Sequence, residues 1–556
     1  MKISALFIGL GILSGLNAMA ANANDFQICW GDTDVHYARY SRPAGTSKAF
    51  EFSAWKGEKV NTEILIWAPE GLENAEVTIS DLKNGKNVIP SGAASIHFVR
   101  YVIGDELAKE YGQCGARDTT NWKSISEADM LDSTGSSPVN ASECQPVWIT
   151  VNVPSGAVPG RYKGVVTVTS EGISKTLGIE LQVKDHLMPE PSDWAFHLNL
   201  WQNPYSVARY HNVPLWSKEH FDYMRPLMKA LADAGQKAIT ATIIDRPWNG
   251  QTEDAFGSMV TKIKRADGTW LYDYTIFDMW VEFMMSVGIN KEINCFSLIP
   301  WKLEFDYFDQ ATGRNATIQG GPQDKEYQLY WMHFIKDFAT HLREKGWFDI
   351  TTISMDERPM ETMSGALSLI KSIEPEMKVS LAGNYIKEIE EQLYYLSATS
   401  TQEFPDDVRQ RRMAEGKIST FYTCCAEKYP NTFIASVPAE ASWIGWFAVA
   451  KGFEGYLRWA YNSWTIDPIK DARFRTWAAG DTYMVYPDAR SSVRFEKLIE
   501  GIRDYEKTRI LRSEWEASGN KTALKKLDDT LKLFTIDRIA SEGAAPAIKK
   551  ARKAID

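Results

Sequence analysis

Two adjacent carboxylates, Asp356 and Glu357, close the run Thr351-Thr352-Ile353-Ser354-Met355 and stand just before Arg358 and Pro359. A carboxyl group can give a proton to a departing oxygen and, once ionised, take one from water. Ile353 and Met355 read as a buried run, and Pro359 forbids further ladder pairing, so the acids fall where a strand ends. In a barrel of alternating strands and helices, the C-terminal strand ends carry the active site. Read alone, the stretch is equally well an acidic N-cap for a helix near Met363.

Other reagents fit less well. The eight His residues show no H-E-x-x-H spacing, and the chain has neither a G-x-S-x-G elbow nor a phosphate-cradling G-x-x-x-x-G-K-[ST] loop. No metal or cofactor is expected. A net charge of -10 leaves no basic patch for nucleic acid, so a neutral partner fits better. The 20 Trp and 23 Tyr supply flat rings that suit the C–H faces of sugars, which points to a glycan. Glycosidases ordinarily place two acids about 5 to 9.5 Å apart across the bond. Such acids usually come from different strands, whereas consecutive acids on one strand end address the same side of one sugar.

The elements that position these residues follow from hydrophobic patterning. Lys2, an apolar run over 3–16 and Ala18-Met19-Ala20 predict a signal peptide over 1–20, hence a periplasmic or secreted protein. No Cys follows at once for a lipid anchor, and no later apolar run is long enough to span a membrane. Residues 21–187 have period two, as in Val147, Ile149, Val151 and Val153, and predict an antiparallel β-sandwich with a long surface loop over 112–142. Its role is that of a cap on the next domain in preference to a carbohydrate-binding module. Beyond Met188-Pro189-Glu190-Pro191, apolar runs alternate with helical patterns over 188–512. Strands are expected at 194–200, 238–243, 293–298, 351–355, 378–382, 394–399, 419–424 and 455–460, a (β/α)8 TIM barrel, with a closing helix over 493–511 and a helical extension over 513–556. Export permits disulfides: Cys114 and Cys144 flank the polar loop, Cys29 and Cys295 have no local partner, and Cys424-Cys425 is a vicinal pair, free or joined.

Polar and aromatic residues collect at the ends of these strands. Asn199 and Trp201 leave the first, Asp245 and Trp248 the second, Trp301 the third, and Asn384 and Tyr385 the fifth. Arg458, Trp459, Asn462 and Trp464 surround the end of the eighth. Singly, each is as well explained by packing or capping; together they describe a pocket of rings, amides and acids.

Several stretches carry a resemblance. Ser354-Met355-Asp356-Glu357, Phe421-Tyr422-Thr423-Cys424-Cys425, Pro430-Asn431-Thr432-Phe433, Gly445-Trp446, the run from Gly455 through Trp464, and Arg494 followed by Glu500-Gly501-Ile502-Arg503-Asp504-Tyr505-Glu506 resemble the catalytic region of glycoside hydrolase family 123. That family comprises retaining β-N-acetylgalactosaminidases, and the resemblance runs from about Pro189 to Arg503. The chain departs from the family pattern at Glu440-Ala441-Ser442-Trp443, where an Arg is expected before the Gly-Trp pair. The resemblance implies substrate-assisted catalysis, in which the sugar's 2-acetamido oxygen attacks the anomeric carbon. Glu357 is then the acid and base, Asp356 the group that orients the acetamido N–H, and Tyr385 a hydroxyl for its carbonyl. Trp459 and Trp464 are candidates for the ring beneath the sugar, Asn462 and Arg458 for its hydroxyls, with Trp301 and Trp443 ranked below them. A β-N-acetylglucosaminidase or other glycosidase on the same fold, or a non-catalytic glycan-binding protein, are the alternatives.

Overall fold

The computed structural model describes residues 26–45, 48–105, 114, 123–132 and 135–556. The expected signal peptide lies outside the described residues. The amino-terminal part is a two-sheet sandwich. One sheet runs in the order Gln27–Trp30, Lys59–Trp67, Cys144–Asn152, Ala94–Asp105, Ser124–Asp132; the other runs Phe50–Lys56, Ile173–Leu187, Gly160–Ser170, Leu72–Ile79, Ser136–Val139. Pairing is antiparallel except that Phe50–Lys56 runs parallel to Ile173–Leu187. Alternate residues of both sheets, including Val147, Val166 and Leu181, meet in one core. Cys144–Asn152 is buried on both faces, because Trp148 on its outer side packs against Val493 of the barrel's closing helix. The region expected as one long loop contains the strands Ser124–Asp132 and Ser136–Val139. Their few apolar residues hide them from a pattern search, and pairing with Ala94–Asp105 and Leu72–Ile79 forms them.

Eight parallel strands follow: β1 (His197–Leu200), β2 (Ala238–Thr242), β3 (Glu292–Phe296), β4 (Thr351–Met355), β5 (Lys378–Ala382), β6 (Tyr395–Thr399), β7 (Ile418–Tyr422) and β8 (Gly455–Arg458). Continuous ladders run from β2 through β8 and on to β1. The β1–β2 seam has a single bridge, Leu198 with Gln236, and is sewn largely by amide side chains. Gln236 Oε1 accepts the Leu200 N–H at 2.9 Å and its Nε2 donates to Ala238 O at 2.7 Å, while Gln202 Oε1 accepts the Thr240 N–H at 2.9 Å. A four-stranded sheet that the sequence pattern did not suggest, Trp270–Asp273, Thr261–Lys264, Glu304–Asp309 and Arg314–Gln319, is inserted after β2 and β3.

The closing helix Val493–Ser518 lies against the helix Ala439–Lys451 at glycine contacts. A Cβ on Gly445 would stand 2.0 Å from Gly501 O, and one on Gly501 would stand 2.4 Å from Ser442 O. Both glycines belong to the stretches singled out from sequence, and close backbone approach is their reason. The sandwich holds the long segment between β8 and the closing helix. Asp129 pairs with Arg494 at 3.0 Å and accepts from Tyr486 OH at 2.6 Å, and the Ile103 N–H donates to Lys470 O at 2.8 Å. Helices Lys521–Leu531, Ile536–Glu542 and Ala545–Ile555 pack outside the barrel. Among the described residues no helix is long and apolar enough to cross a membrane.

Candidate active site

β4 is buried along its whole length, and the chain turns outward at Asp356 because Pro359 opens the next helix, Met360–Ile373. Beneath the acids lies a layer of buried hydroxyls and amides: Ser354 and Ser380 stand 2.7 Å apart, and Asn294 Nδ2 donates to Thr352 Oγ1 at 2.9 Å. Asp356 and Glu357 have different surroundings. Asp356 Oδ2 accepts a 2.7 Å hydrogen bond from Trp301 Nε1, and Arg358 stands 2.9 Å from Oδ1 while its guanidinium lies 4.6 Å above the Trp301 ring. Burial pushes the Asp356 carboxyl up to about 6; Arg358 and the Trp301 N–H oppose the shift, and the Glu357 charge adds to it.

Glu357 is exposed in the mouth and accepts a hydrogen bond at Oε1 from the hydroxyl of Tyr422, the last residue of β7. Burial, followed by the Glu357 charge, pushes the Tyr422 phenol far above its usual range, so it remains a donor. The loop after β7 brings Glu427 close by, its carboxyl accepting the Cys424 N–H at 2.8 Å and raised by burial. Cys425 in that loop forms a disulfide with Cys114 of the sandwich, 311 residues away. Cys114 is thus not joined to Cys144 across the polar loop that the two flank. Cys144 is instead buried as a thiol with Cys29 and Leu65, where neither can meet Cys114.

The floor is aromatic. Trp201 stacks on Trp248 with centroids 5.0 Å apart and tilts against Phe296 at 4.6 Å; Tyr422 and Leu457 join the cluster, and Trp459 packs on it. Trp201 Nε1 is buried without a hydrogen-bond partner. The site thus offers a half-buried acidic acceptor, an exposed carboxyl beside it and a ring floor, which is equipment for moving a proton on a bound sugar.

The other residues named from sequence divide clearly. Trp301 stands at the acids and Trp201 in the floor, as just described. Trp459 is half-buried, with Nε1 donating to Asp481 at 3.2 Å and its ring edge-on to Trp477. Asn384 is exposed on the loop after β5. Tyr385, expected at the acetamido carbonyl, turns the other way: it stacks on Phe404, and the charges nearest its hydroxyl are Glu390 and Arg411. Tyr422 supplies the hydroxyl at the acids instead. Asn199 lies inside the barrel and donates to Asn294 Oδ1 at 2.9 Å. Asp245 accepts the Ser258 N–H at 2.9 Å and holds the inserted segment. Arg458 is fully buried, paired with Asp481 at 2.7 Å and bonded to Asn431 Oδ1 at 2.8 Å. Asn462 exchanges hydrogen bonds with the Asn203 backbone at 2.9 and 2.8 Å. Trp464 donates to Val485 O at 2.8 Å within the core. Trp443 is also core, stacked on Phe447 and packed against Phe534, because its helix is covered by the closing helix and the C-terminal helices.

Comparison with known proteins gives the family. Residues 201–511 match the model of the glycoside hydrolase 123 catalytic domain, and residues 30–170 match the glycoside hydrolase 123 N-terminal domain. Among solved structures, a family 123 glycoside hydrolase from Clostridium perfringens, described in terms of glycolipid glycan hydrolysis, is 26% identical with a TM-score of 0.86, covering 95% of this chain and 97% of that one. A family 10 xylanase with a bacterial Ig-like domain, from termite gut, aligns at 11% identity and a TM-score of 0.32 over 83% of this chain and 100% of that one. No curated protein matches the chain. With more than half of its length matched by the catalytic-domain model and a similar solved structure spanning nearly all of it, the chain belongs to glycoside hydrolase family 123.

Proposed function

We propose that this protein is an exported, retaining glycoside hydrolase that releases β-linked N-acetylgalactosamine from glycans through an oxazoline intermediate. The observation that carries the reading is the different setting of two consecutive acids: Asp356 is half-buried and held by Trp301 and Arg358, whereas Glu357 is exposed and held by Tyr422. In the first step the substrate's acetamido oxygen forms a bond to the anomeric carbon as the bond to the aglycone oxygen breaks. Glu357 gives its proton to that leaving oxygen. Asp356, as the anion, accepts the acetamido N–H and stabilises the positive charge that develops on nitrogen. In the second step Glu357 takes a proton from water, which attacks the same carbon, opens the ring and leaves the configuration retained. A neighbouring group already bound to the sugar reacts at high effective concentration, so no protein nucleophile is required. The unpartnered Trp201 N–H and the ring floor support a sugar lying over β1 and β3. The Clostridium perfringens relative's link to glycolipid glycans makes such glycans the first natural substrates to try.

Release of 4-nitrophenol from its β-N-acetylgalactosaminide, β-N-acetylglucosaminide and β-galactoside by the mature chain tests the reading. Selective turnover of the first, lost in Glu357→Gln, is the expected result. Turnover of the β-galactoside would remove the acetamido group from the mechanism, and turnover of the glucosaminide alone would reassign the sugar.

A further inference from the structure

The structure assigns a second glycan-binding site, for a neutral oligosaccharide segment, in a crevice of about 910 Å³ between the sandwich, the closing helix and the carboxyl-terminal helix Ala545–Ile555. None of the residues at the acid pair lines it. One wall is a single face of the closing helix, with Glu500, Arg503, Asp504, Lys507, Leu511 and Trp515 recurring at three- and four-residue spacing. Its volume lies within the range of small-molecule sites.

The chemistry of the walls selects the ligand. The crevice's charges are largely cancelled in pairs across it: Lys507 with Glu58 at 2.6 Å, Lys549 with Asp32 at 2.7 Å, and Arg552 with Asp504 at 2.8 Å. A strongly charged ligand gains little there. Arg503 is the exception, 3% exposed with its Nη2 lacking a hydrogen-bond partner, next to the carboxylate of Glu500. A buried guanidinium with an unused donor is costly unless something accepts from it. Sugar hydroxyls both accept and donate, so one can take a hydrogen bond from a guanidinium and give another to a neighbouring carboxylate. The half-buried rings of Phe50, Phe52 and Trp515 provide flat apolar faces for the C–H side of such a sugar. Arg503 also stands in the Glu500–Glu506 stretch singled out from sequence, to which the acid pair gives no task. The proposal rests on the reading of the protein as a glycoside hydrolase and is independent of which sugar the acids release.

Calorimetric titration of full-length Glu357→Gln with a neutral tetrasaccharide ending in β-linked N-acetylgalactosamine provides the test. Two sites per chain are expected, and one of them is lost in the Trp515→Ala, Glu357→Gln double variant. Trp515→Phe, which keeps a ring and guards against misfolding, retains both sites with the crevice affinity lowered several-fold. No binding, or a site count and affinities that Trp515→Ala leaves unaltered, overturns the proposal. A single site that Trp515→Ala removes upholds the crevice and instead refutes the assignment of this glycan to the acid pair.

Discussion

The ends of β4 and β8 carry similar residues at the same rim of one barrel and use them oppositely. At β4, Glu357 is exposed, and the half-buried Asp356 keeps company with an exposed Trp301. At β8, Arg458, Asn462 and Asp481 are fully buried: Arg458 donates to Asn431 in the loop after β7 and to Asp481, and Asn462 donates to Asn203 in the loop after β1. Polar residues at a strand end thus serve either substrate or scaffold, and what separates the two is whether another loop has already claimed them. The sandwich has a part in this division, since it braces the segment between β8 and the closing helix.

Substitutions at the two ends sharpen the contrast. Arg458→Ala strands Asp481 as a buried charge, and loss of one partner of a buried pair costs about 3–5 kcal/mol. Urea unfolding should show that loss. In the proposed mechanism Glu357→Gln removes only the proton donor, so kcat should fall by about 10² to 10⁴ while the unfolding midpoint holds. A comparable loss of stability in both variants would erase the distinction. Tyr422→Phe deletes one hydrogen bond to the acid, and a fall in kcat of about tenfold with KM little changed is expected, on the scale of a hydrogen bond to a charged group. The smallest effect is on pH dependence. In the proposed mechanism Asp356 acts as an anion, and burial raises its carboxyl to about 6, so activity should decline as the pH falls through that value. Trp301→Phe removes a donor that favours the anion, so the acid limb should move to higher pH, and Arg358→Met should move it in the same direction. A limb that moves down in either variant would mean that Asp356 is not the group observed.

The barrel was largely legible in the chain, because fully buried parallel strands are continuous apolar runs. β4 and β5 fall on the expected residues, and β3 is shorter than its run because Leu298 and Ile299 stay buried after ladder pairing ends. The inserted sheet was not legible: Arg314–Gln319 and Thr261–Lys264 are short and polar, and pairing forms them. At the site, the strand-end rule finds Asp356, Glu357 and Trp301. It misses Tyr422, since the apolar run there continues to Cys424 and conceals where β7 stops. Nor can it tell Arg458 and Asn462 from groups that face a ligand, because their partners Asp481 and Asn203 are distant in sequence.

The glutamine seam between β1 and β2 sets a different kind of limit on the chain. Elsewhere in the barrel, closure is a property of the backbone, which every residue except proline shares, so those positions are free to drift among side chains of suitable size. At the seam it depends on two particular carboxamides, Gln202 and Gln236, each reaching across the junction in place of a peptide group. Exchange of either for Leu keeps the size and forfeits the donor and acceptor together, leaving strand amides open to solvent deuterium, whereas Glu keeps the acceptor and loses only the donor. Over the family's divergence, this junction should therefore tolerate the least variation in side-chain identity, although neither carboxamide bonds to the acids.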